Sequence, residues 1–380
     1  MFRPQIQKTR ILFALAFVSL CLVYMVSNSK TYINNFNIDK KYLAVDIMVE
    51  SINIIKKNKS ISPTDIYKTG LIGDANSDIT TIQYKDSLIL QSKIATTNPN
   101  FSAFIIDLLE ESNLEKGDSV AVSMTGSFPG ANLAFYSACQ IMNVKPIVIS
   151  SVGSSSWGAN REDFSWPYIE NYLFRSNLLS NHSVAYSMGG DNDNADNLSD
   201  KGVEIIESVI PDYAMLVNNS SLIENIDHKL SIFNSFANEY SMYVNIGGGV
   251  SSLGPGKDKD TLKVGVINLL DINDMEFSEF KKSIAYQFLY HESSEDYQNS
   301  IPMLNIKKII DLVPNDYKNE FFNGNMEIGK GNLYYKYNPY NPTVILLGLI
   351  MSLGLIISIG IYSHLQIKRR METHEVDSII

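Results

Sequence analysis

Residues 117–160 constrain the fold of this chain more than any other part of its sequence. An apolar run ends in the turn Thr-Gly-Ser-Phe-Pro-Gly of residues 125–130, and a helix-like segment follows at 131–142. A second apolar run ends in a Gly/Ser-rich turn at 153–158. Strand, turn, helix, strand and turn in this order predict a βαβ unit. Both turns follow strands, so we expect them at one edge of a parallel sheet, where open α/β sheets bind ligands.

The same alternation continues beyond this unit. Further apolar runs of strand length lie at 184–188, 213–217, 242–246 and 263–270, with helix-like segments between most of them. Alternating strands and helices are typical of a parallel sheet covered by helices. The sequence therefore predicts an α/β fold. It has a mostly parallel, Rossmann-like sheet with helices on both faces, flanked by one N-terminal and one C-terminal transmembrane helix.

The two ends of the chain predict membrane helices. Residues 11–26 are uncharged and follow Arg3, Lys8 and Arg10, and residues 344–362 are uncharged and precede a basic cluster. A helix needs about 20 apolar residues to cross a bilayer. The second segment meets this length, and the first nearly does. A cleaved signal peptide is the alternative interpretation of the first segment, although no clean Ala-x-Ala site follows it.

The charges that flank these segments predict a topology. Because basic residues lie outside both segments, both termini are expected in the cytoplasm and the region between them outside it. The protein is then a two-pass protein of the cytoplasmic membrane with an extracytoplasmic main domain. That domain carries 25 basic and 38 acidic residues, a net charge of −13. This balance argues against a nucleic-acid partner. An anionic ligand would have to be held by local backbone dipoles or a few placed cations.

These features predict six consecutive regions along the chain. A helical apolar spacing marks the second region, and the aromatic residues of the fourth could lie at a membrane interface or in an ordinary core. The regions are a membrane anchor at 1–29, a stalk helix at 30–69, an α/β extracytoplasmic domain at 70–300, an aromatic-rich juxtamembrane segment at 301–342, a transmembrane helix at 343–363 and a cytoplasmic tail at 364–380.

The turn at 125–130 has the features of an anion site. A turn that leads into a helix N-terminus presents unpaired backbone N–H groups and the positive end of the helix dipole. The turn lacks the P-loop lysine, and Pro129 removes one N–H donor, so nucleotide binding has little support. A purely structural strand-to-helix turn is the alternative.

A cluster of serines follows the next strand. The spacing of Gly153, Ser154, Ser155 and Gly158 does not match a nucleophile elbow. A serine nucleophile needs a base, and none of the three histidines of the outer domain lies at a strand-end turn. Hydroxyls that bind a ligand are therefore the favoured role for these serines. Catalysis stays open, with Thr125, Ser127 and Ser155 as candidate nucleophiles, but no catalytic residue is assigned.

The acidic turn after the strand at 184–188 does not form a recognisable metal motif. Counting from Asp191 puts Ala195 and Asp196 where a calcium loop needs an oxygen ligand and a glycine. No zinc-binding spacing occurs either. We therefore predict no metal and no cofactor.

Several turns rich in Gly, Ser and Asn are expected at one sheet edge. The candidate ligand-binding residues there are Thr125, Gly126, Ser127, Ser151, Ser154, Ser155, Asn160, Gly189, Gly190, Asp191, Asn245 and Gly247.

The outer domain resembles the poly-γ-glutamate system protein family over about residues 70–260. The resemblance is carried by Leu71-Ile72-Gly73, Ile79-Thr80-Thr81, Asn98-Pro99-Asn100-Phe101, Thr125-Gly126-Ser127-Phe128-Pro129, the stretch from Ser150 to Asn160 and Ser187-Met188-Gly189-Gly190. It implies a membrane-anchored accessory protein of bacterial poly-γ-glutamate capsule synthesis or export. It implies no established reaction.

Three functions follow as hypotheses. The first is an accessory protein that binds poly-γ-glutamate or another anionic glutamyl ligand in the edge crevice. The second is an extracytoplasmic γ-glutamyl hydrolase or transferase. The third is a structural scaffold of the synthase complex. The expected partners are the other membrane subunits of that machinery, the polymer or a glutamyl ligand, and the membrane.

Overall fold

The computed structural model describes residues 9–58, 61–272, 278–290, 300–322 and 327–377. The chain divides into two compact units. The larger unit is Phe36–Tyr334, and the terminal unit combines Met1–Asn35 with Tyr335–Ile380. Arg3 and Lys8, on which part of the predicted topology rests, lie outside the described residues.

Helices and strands alternate along most of the chain. The helices are α1 (Thr9–Ser27), α2 (Ile38–Asn58), α3 (Ser87–Thr96), α4 (Asn100–Glu111), α5 (Pro129–Met142), α6 (Trp166–Arg175), α7 (Asp200–Val209), α8 (Leu222–Phe236), α9 (Val250–Leu253), α10 (Asp258–Thr261), α11 (Ile284–Leu289), α12 (Ile309–Leu312), α13 (Lys318–Phe322) and α14 (Pro342–Asp377). The strands are β1 (Thr31–Asn34), β2 (Thr80–Ile82), β3 (Ser119–Thr125), β4 (Lys145–Ser151), β5 (Ser154–Ser155), β6 (Asn160–Arg161), β7 (Phe164–Ser165), β8 (Ser183–Ser187), β9 (Met215–Val217), β10 (Met242–Ile246), β11 (Gly265–Ile267), β12 (Met303–Ile306) and β13 (Tyr335–Asn338).

A seven-stranded sheet forms the centre of the larger unit. Its strand order is β11-β12-β10-β3-β4-β8-β9, and every neighbouring pair is parallel except β11 with β12. The prediction of an α/β fold with a mostly parallel sheet is confirmed.

The strand order reverses beside β3. From β3 the chain adds β4, β8 and β9 on one side, and it then returns to place β10 on the other side. Open α/β sheets bind ligands outside the carboxyl ends of the strands at such a reversal. Thr125 ends β3 and pairs with Ser151 of β4, while Ile246 of β10 pairs with Met124. The reversal therefore lies between Thr125 and the turn that follows Ile246.

Helices cover the sheet because its strand residues are apolar toward both faces. On one face Ala121, Ile149 and Tyr243 join a buried cluster with side chains from α8, α9 and α11. Residues that alternate with these, such as Val122 and Val148, are also fully buried. They face the opposite side, where α5 contacts β3 and β4 and packs on α2 and α4.

Helix α2 belongs to the larger unit rather than to a separate stalk. One apolar face of the helix, which includes Met48, is buried, and the helix packs against α4 and α5. Lys41 is also buried, since its Nζ lies 2.6 Å from Asp107 Oδ1 and donates to the Leu333 carbonyl oxygen at 2.8 Å. Burial of this amphipathic helix face explains why the unit begins near Phe36.

The aromatic-rich segment at 301–342 also contributes to the larger unit. Its residues Met303–Ile306 form β12, a strand of the central sheet. Phe321 and Tyr334 are buried, and Tyr334 Oη donates to Asn100 Oδ1 at 2.7 Å. The aromatic side chains at 321 and 334 thus form core, and the unit extends past residue 300 to Tyr334.

The terminal unit places the two ends of the chain side by side. Strands β1 and β13 pair antiparallel, and the Asn341 N–H donates to Ser29 Oγ at 3.1 Å. Within this unit the stretch Pro342–Arg369 of α14 is long and apolar enough to cross a membrane. The apolar stretch Phe13–Ser27 of α1 is shorter than a typical span.

Candidate functional site

The turns after β3, β4, β8 and β10 meet at the carboxyl edge of the sheet. The Gly126 N–H donates to the Ser151 carbonyl oxygen at 2.9 Å, and the Ala159 N–H donates to the Gly126 carbonyl oxygen at 2.8 Å. The Gly153 N–H donates to the Met188 carbonyl oxygen at 2.9 Å. These bonds bring most of the predicted candidate residues together at one edge.

Close backbone contacts also join the turn after β4 to the turns after β3 and β8. A Cβ at Gly158 would lie 2.7 Å from Ser127 Cα, and a Cβ at Gly189 would lie 3.1 Å from the Gly153 carbonyl oxygen. Gly189 and Gly190 both have positive φ, 79° and 74°. At these positions the turns leave no room for side chains.

Thr125 Oγ1 is the most informative polar atom at the edge. Thr125 is only 6% exposed, and its hydroxyl has no hydrogen-bond partner among the described residues. A buried hydroxyl without a partner costs about 1–3 kcal/mol. The hydroxyl lies at the strand-order reversal against Gly247, and the Thr125 methyl carbon Cγ2 would lie 3.6 Å from a Cβ at Gly249. Thr125 therefore offers a desolvated donor and acceptor where the fold favours a ligand.

The glycine turn after β10 adds backbone donors beside Thr125. The Gly247 N–H donates to the Ile306 carbonyl oxygen at 2.9 Å, but Gly248 and Gly249 N–H groups make no hydrogen bond within the described part of the chain. Both residues are partly exposed.

A lysine lies beside this turn. A Cβ at Gly248 would be 4.0 Å from Lys307 Nζ. Lys307 directly follows β12, its side chain is 15% exposed, and its Nζ lies 2.7 Å from Asp260 Oδ1. The edge thus combines one buried hydroxyl, two backbone donors and a cation, a set that suits a carboxylate.

The turn into α5 offers a second group of polar atoms. Asn132 Nδ2 donates to the Thr125 carbonyl oxygen at 2.9 Å, while Asn132 Oδ1 is buried and unpartnered among the described residues. The Ser127 N–H likewise makes no hydrogen bond to any described residue. Pro129 opens α5 and has no N–H, and the Phe128 N–H donates to the Thr125 carbonyl oxygen at 3.4 Å, so Gly130 and Ala131 carry the remaining N–H groups of the first turn.

Lys93 is a functional candidate that the sequence analysis missed. It lies on α3 and is 1% exposed. Its Nζ lies 2.9 Å from Ser155 Oγ and 2.6 Å from the Ser127 carbonyl oxygen. Burial lowers the pKa of the Lys93 amine well below its usual value, and no carboxylate contributes to that shift. The available signal was a lysine flanked on both sides by apolar residues, Ile89 and Leu90 before it and Ile94 and Ala95 after it.

Asp193 rather than Asp191 makes the contacts in the acidic turn. Asp191 is exposed, whereas Asp193 is buried and forms an ion pair with Lys229. Lys229 Nζ also donates to Ser187 Oγ at 2.8 Å and Ser251 Oγ at 2.9 Å, and both hydroxyls donate to Asp193. The network ties the ends of β8 and β10 together and needs no metal to neutralise its carboxylate.

The two predicted asparagines hold the edge together through internal hydrogen bonds. Asn160 accepts from the Asp74 N–H at 2.9 Å and donates to Thr80 Oγ1 at 2.9 Å, which fixes the segment before β2. Asn245 donates to Asn305 Oδ1 at 2.9 Å and accepts from Ser252 Oγ at 2.7 Å. Their side-chain amides are therefore already engaged.

The remaining predicted serines are buried beneath the same edge. Ser154 Oγ donates to the Ser155 carbonyl oxygen at 3.1 Å, and the Ser155 N–H donates to Ser127 Oγ at 3.0 Å. Ser151 is 6% exposed and lies beside Thr125 in the sheet.

Among the described residues, no group of three or more His, Cys, Asp or Glu side chains could hold a metal ion.

Comparisons with protein-family models, with curated proteins and with solved structures found no significant match to this chain. The class of this protein is therefore defined only by its fold and by the polar carboxyl edge of its central sheet. It is a mixed α/β protein whose mostly parallel seven-stranded sheet carries a polar edge at a strand-order reversal, followed by a helix of membrane-spanning length.

Proposed function

We propose that the carboxyl edge of the sheet binds a carboxylate-bearing ligand between β3 and β10. The observation that carries this proposal is the buried, unpartnered hydroxyl of Thr125 at the strand-order reversal. A carboxylate oxygen at this position accepts from Thr125 Oγ1 and from the Gly248 and Gly249 N–H groups. The Lys307 ammonium, which also pairs with Asp260, lies beside these donors and provides a positive charge for the ligand.

The polymer poly-γ-glutamate is the ligand we propose for this edge. Each of its repeating units carries one free carboxylate beside an amide. The carboxylate suits the ammonium of Lys307, and the amide suits the polar atoms near the start of α5. The resemblance of residues 70–260 to the poly-γ-glutamate system family supports this choice. In this proposal the protein is an accessory subunit that holds the polymer for other membrane subunits of its synthesis or export.

We also propose that α1 and α14 both cross the cytoplasmic membrane, with both termini in the cytoplasm. Helix α1 has 19 residues and is about 28 Å long at 1.5 Å per residue, and its apolar stretch Phe13–Ser27 would cover most of the ~30 Å hydrocarbon core. Gly348 of α14 faces Val26 of α1, so the two helices can pack closely. Fluorescent-protein fusions that fold only in the cytoplasm should give signal at either terminus. Signal at the C-terminus alone contradicts the two-pass topology.

Binding to γ-linked triglutamate tests the proposed function. The full chain in detergent micelles should bind this peptide by calorimetry, and Thr125→Val should weaken the affinity about tenfold or more, because a hydrogen bond to a charged group contributes about 1.5–3 kcal/mol. Thr97→Val is the matched control, since Thr97 is buried and bonds only within its own turn. Equal affinity of wild type and Thr125→Val contradicts the proposed site.

Lys307→Met gives an independent measurement of the same site. Removing this cation should weaken triglutamate binding and reduce its salt dependence. Lys282→Met is the control, because Lys282 is also paired with a carboxylate, Glu279, but lies away from the sheet edge on a more exposed part of the surface. Equal losses of affinity in both variants would point to non-specific attraction.

A further inference from the structure

We propose that Ser155 and Lys93 form a nucleophile–base pair for acyl transfer at the carboxyl edge. In this pair Ser155 Oγ attacks the carbonyl carbon of an amide, and Lys93 Nζ accepts and then returns the proton. The pair itself does not depend on the proposed ligand, whereas its substrate class, a γ-glutamyl amide, rests on the proposed function.

A neutral amine can make all three polar contacts of Lys93 Nζ. A neutral amine has two N–H donors and one lone pair. Its donors can serve the carbonyl oxygens of Ser127 at 2.6 Å and Ser155 at 3.5 Å, which leaves the lone pair for the Ser155 hydroxyl at 2.9 Å. Lys93 makes no ion pair with any described residue. Burial without a counter-charge lowers the pKa of Lys93, which favours the basic form of the amine.

The surroundings of the pair supply position and access. Ser127 Oγ accepts from the Ser155 N–H at 3.0 Å and fixes the backbone that carries the nucleophile. The Phe128 ring covers the amine, with its centroid 5.1 Å from Lys93 Nζ. Ser127 and Phe128 are partly exposed, so the pair lies directly beneath the surface. The Ser127 N–H, which has no partner among the described residues, is a donor for the oxyanion.

The reaction balances with water as the second reactant. Ser155 Oγ forms a bond to the amide carbon while its proton moves to Lys93 Nζ, and the C–N bond then breaks as the leaving nitrogen takes that proton. Water next attacks the acyl ester and gives its proton to Lys93. The Ser155–acyl bond breaks as Ser155 Oγ recovers a proton. Serine–lysine pairs perform this chemistry on unrelated folds.

The buried Lys229 does not form a comparable pair. Lys229 also contacts a serine hydroxyl, Ser251, but it is neutralised by Asp193. Lys93, in contrast, contacts two carbonyl oxygens and a hydroxyl and has no carboxylate partner among the described residues. Because the described edge contains both buried lysines, Lys229 provides an internal comparison for Lys93.

Fluorophosphonate labelling of the full chain in detergent tests the pair. Mass spectrometry should locate the adduct on Ser155, Ser155→Ala should abolish it, and Lys93→Met should slow it at least a hundredfold. Ser137→Ala is the control and should label as wild type does, because Ser137 bonds only to Leu133 within α5. Labelling of the wild type should rise with pH as the Lys93 amine loses its proton, a readout that remains if Lys93→Met fails to fold.

Two results contradict the Ser155–Lys93 pair. Measurements with γ-linked triglutamate then distinguish a failure of this pair from a failure of the proposed ligand. Adducts on serines other than Ser155, or a pH-independent rate, contradict the pair. Cleavage of γ-linked triglutamate should accompany labelling of Ser155. Binding of triglutamate without labelling removes the pair and keeps the proposed function. Labelling without binding or cleavage of triglutamate keeps the pair and removes the proposed ligand.

Discussion

Thr125 Oγ1 occupies the space that a Cβ at Gly247 would need, so these two residues fix the distance between the ends of β3 and β10. Gly247 has a φ of +103°, a conformation that favours glycine. The absence of a side chain at 247 therefore lets the two strand ends approach at the strand-order reversal. The proposed carboxylate site depends on this approach.

Gly247→Ala should disrupt the edge more than its backbone strain alone would predict. A non-glycine residue at positive φ costs about 1–3 kcal/mol, and the added methyl group also collides with Thr125. Gly117→Ala is a matched control, since Gly117 has a φ of +97° and nothing lies within 4 Å of its Cβ position. Thermal unfolding of the full chain should show the larger loss of stability at 247. Equal losses contradict the close approach.

Thr125→Val should stabilise the protein while it weakens ligand binding. Valine has nearly the same shape as threonine and removes a buried hydroxyl that has no partner among the described residues. The free energy of unfolding should rise by about 1–3 kcal/mol. Denaturant unfolding of both variants measures this change, with Thr97→Val expected to lose stability because its hydroxyl donates to the Ile94 carbonyl oxygen. A loss of stability in Thr125→Val indicates that the hydroxyl has a partner in solution.

Single substitutions in the buried pair of Lys229 and Asp193 should lower the free energy of unfolding more than the double substitution does. Removing one partner leaves an unpaired charge, so Lys229→Met or Asp193→Leu alone should cost about 3–5 kcal/mol. The double variant should recover much of this loss, because a buried ion pair can be replaced by apolar side chains of similar volume. A double-mutant cycle of unfolding free energies measures the coupling. Additive losses contradict a direct interaction.

Glu170 should make the wild-type protein less stable as the pH rises. Burial raises the pKa of this carboxyl, although Tyr136, Tyr186 and Ser183 all donate hydrogen bonds to it. Because the folded pKa exceeds the unfolded one, the folded state holds the proton more tightly. Stability is greatest below the ordinary pKa of 4.5 and declines as the pH rises toward the folded pKa.

Glu170→Gln should remove this contribution to the pH dependence. The variant should gain stability relative to wild type as the pH is raised, when melting temperatures are compared on both sides of the carboxyl titration. A constant difference between the two proteins at all pH values contradicts a raised pKa at Glu170.

The sheet could be predicted because its strands have a strong local signature. The βαβ unit and the Gly-rich strand ends marked β3, α5, β4, β8 and β10 in order. The position of β12 was missed, because Met303–Ile306 is short and is followed by an aromatic-rich segment. Its place in the sheet depends on a long-range pairing with β10, which local patterns do not encode.

The candidate site was only partly predictable for the same reason. Thr125, Ser127 and Ser155 follow predicted strands, so their convergence at one edge could be expected. Lys93 comes from a helix that precedes the sheet, and its contact with Ser155 depends on how α3 packs. Asp191 and Asp193 have the same residue type two positions apart, and only the turn geometry buries the second. No sequence motif marks the pairing of Asp193 with Lys229 or the contact of Lys93 with Ser155.

A structure of the full chain bound to γ-linked triglutamate tests the central claim most directly. We expect a ligand carboxylate within hydrogen-bond distance of Thr125 Oγ1 and the Gly248 and Gly249 N–H groups, with Lys307 Nζ nearby. The same experiment on Thr125→Val should show an empty or weakly occupied site. A single water bridging Thr125 Oγ1 to the protein, with triglutamate absent or bound elsewhere, contradicts the account.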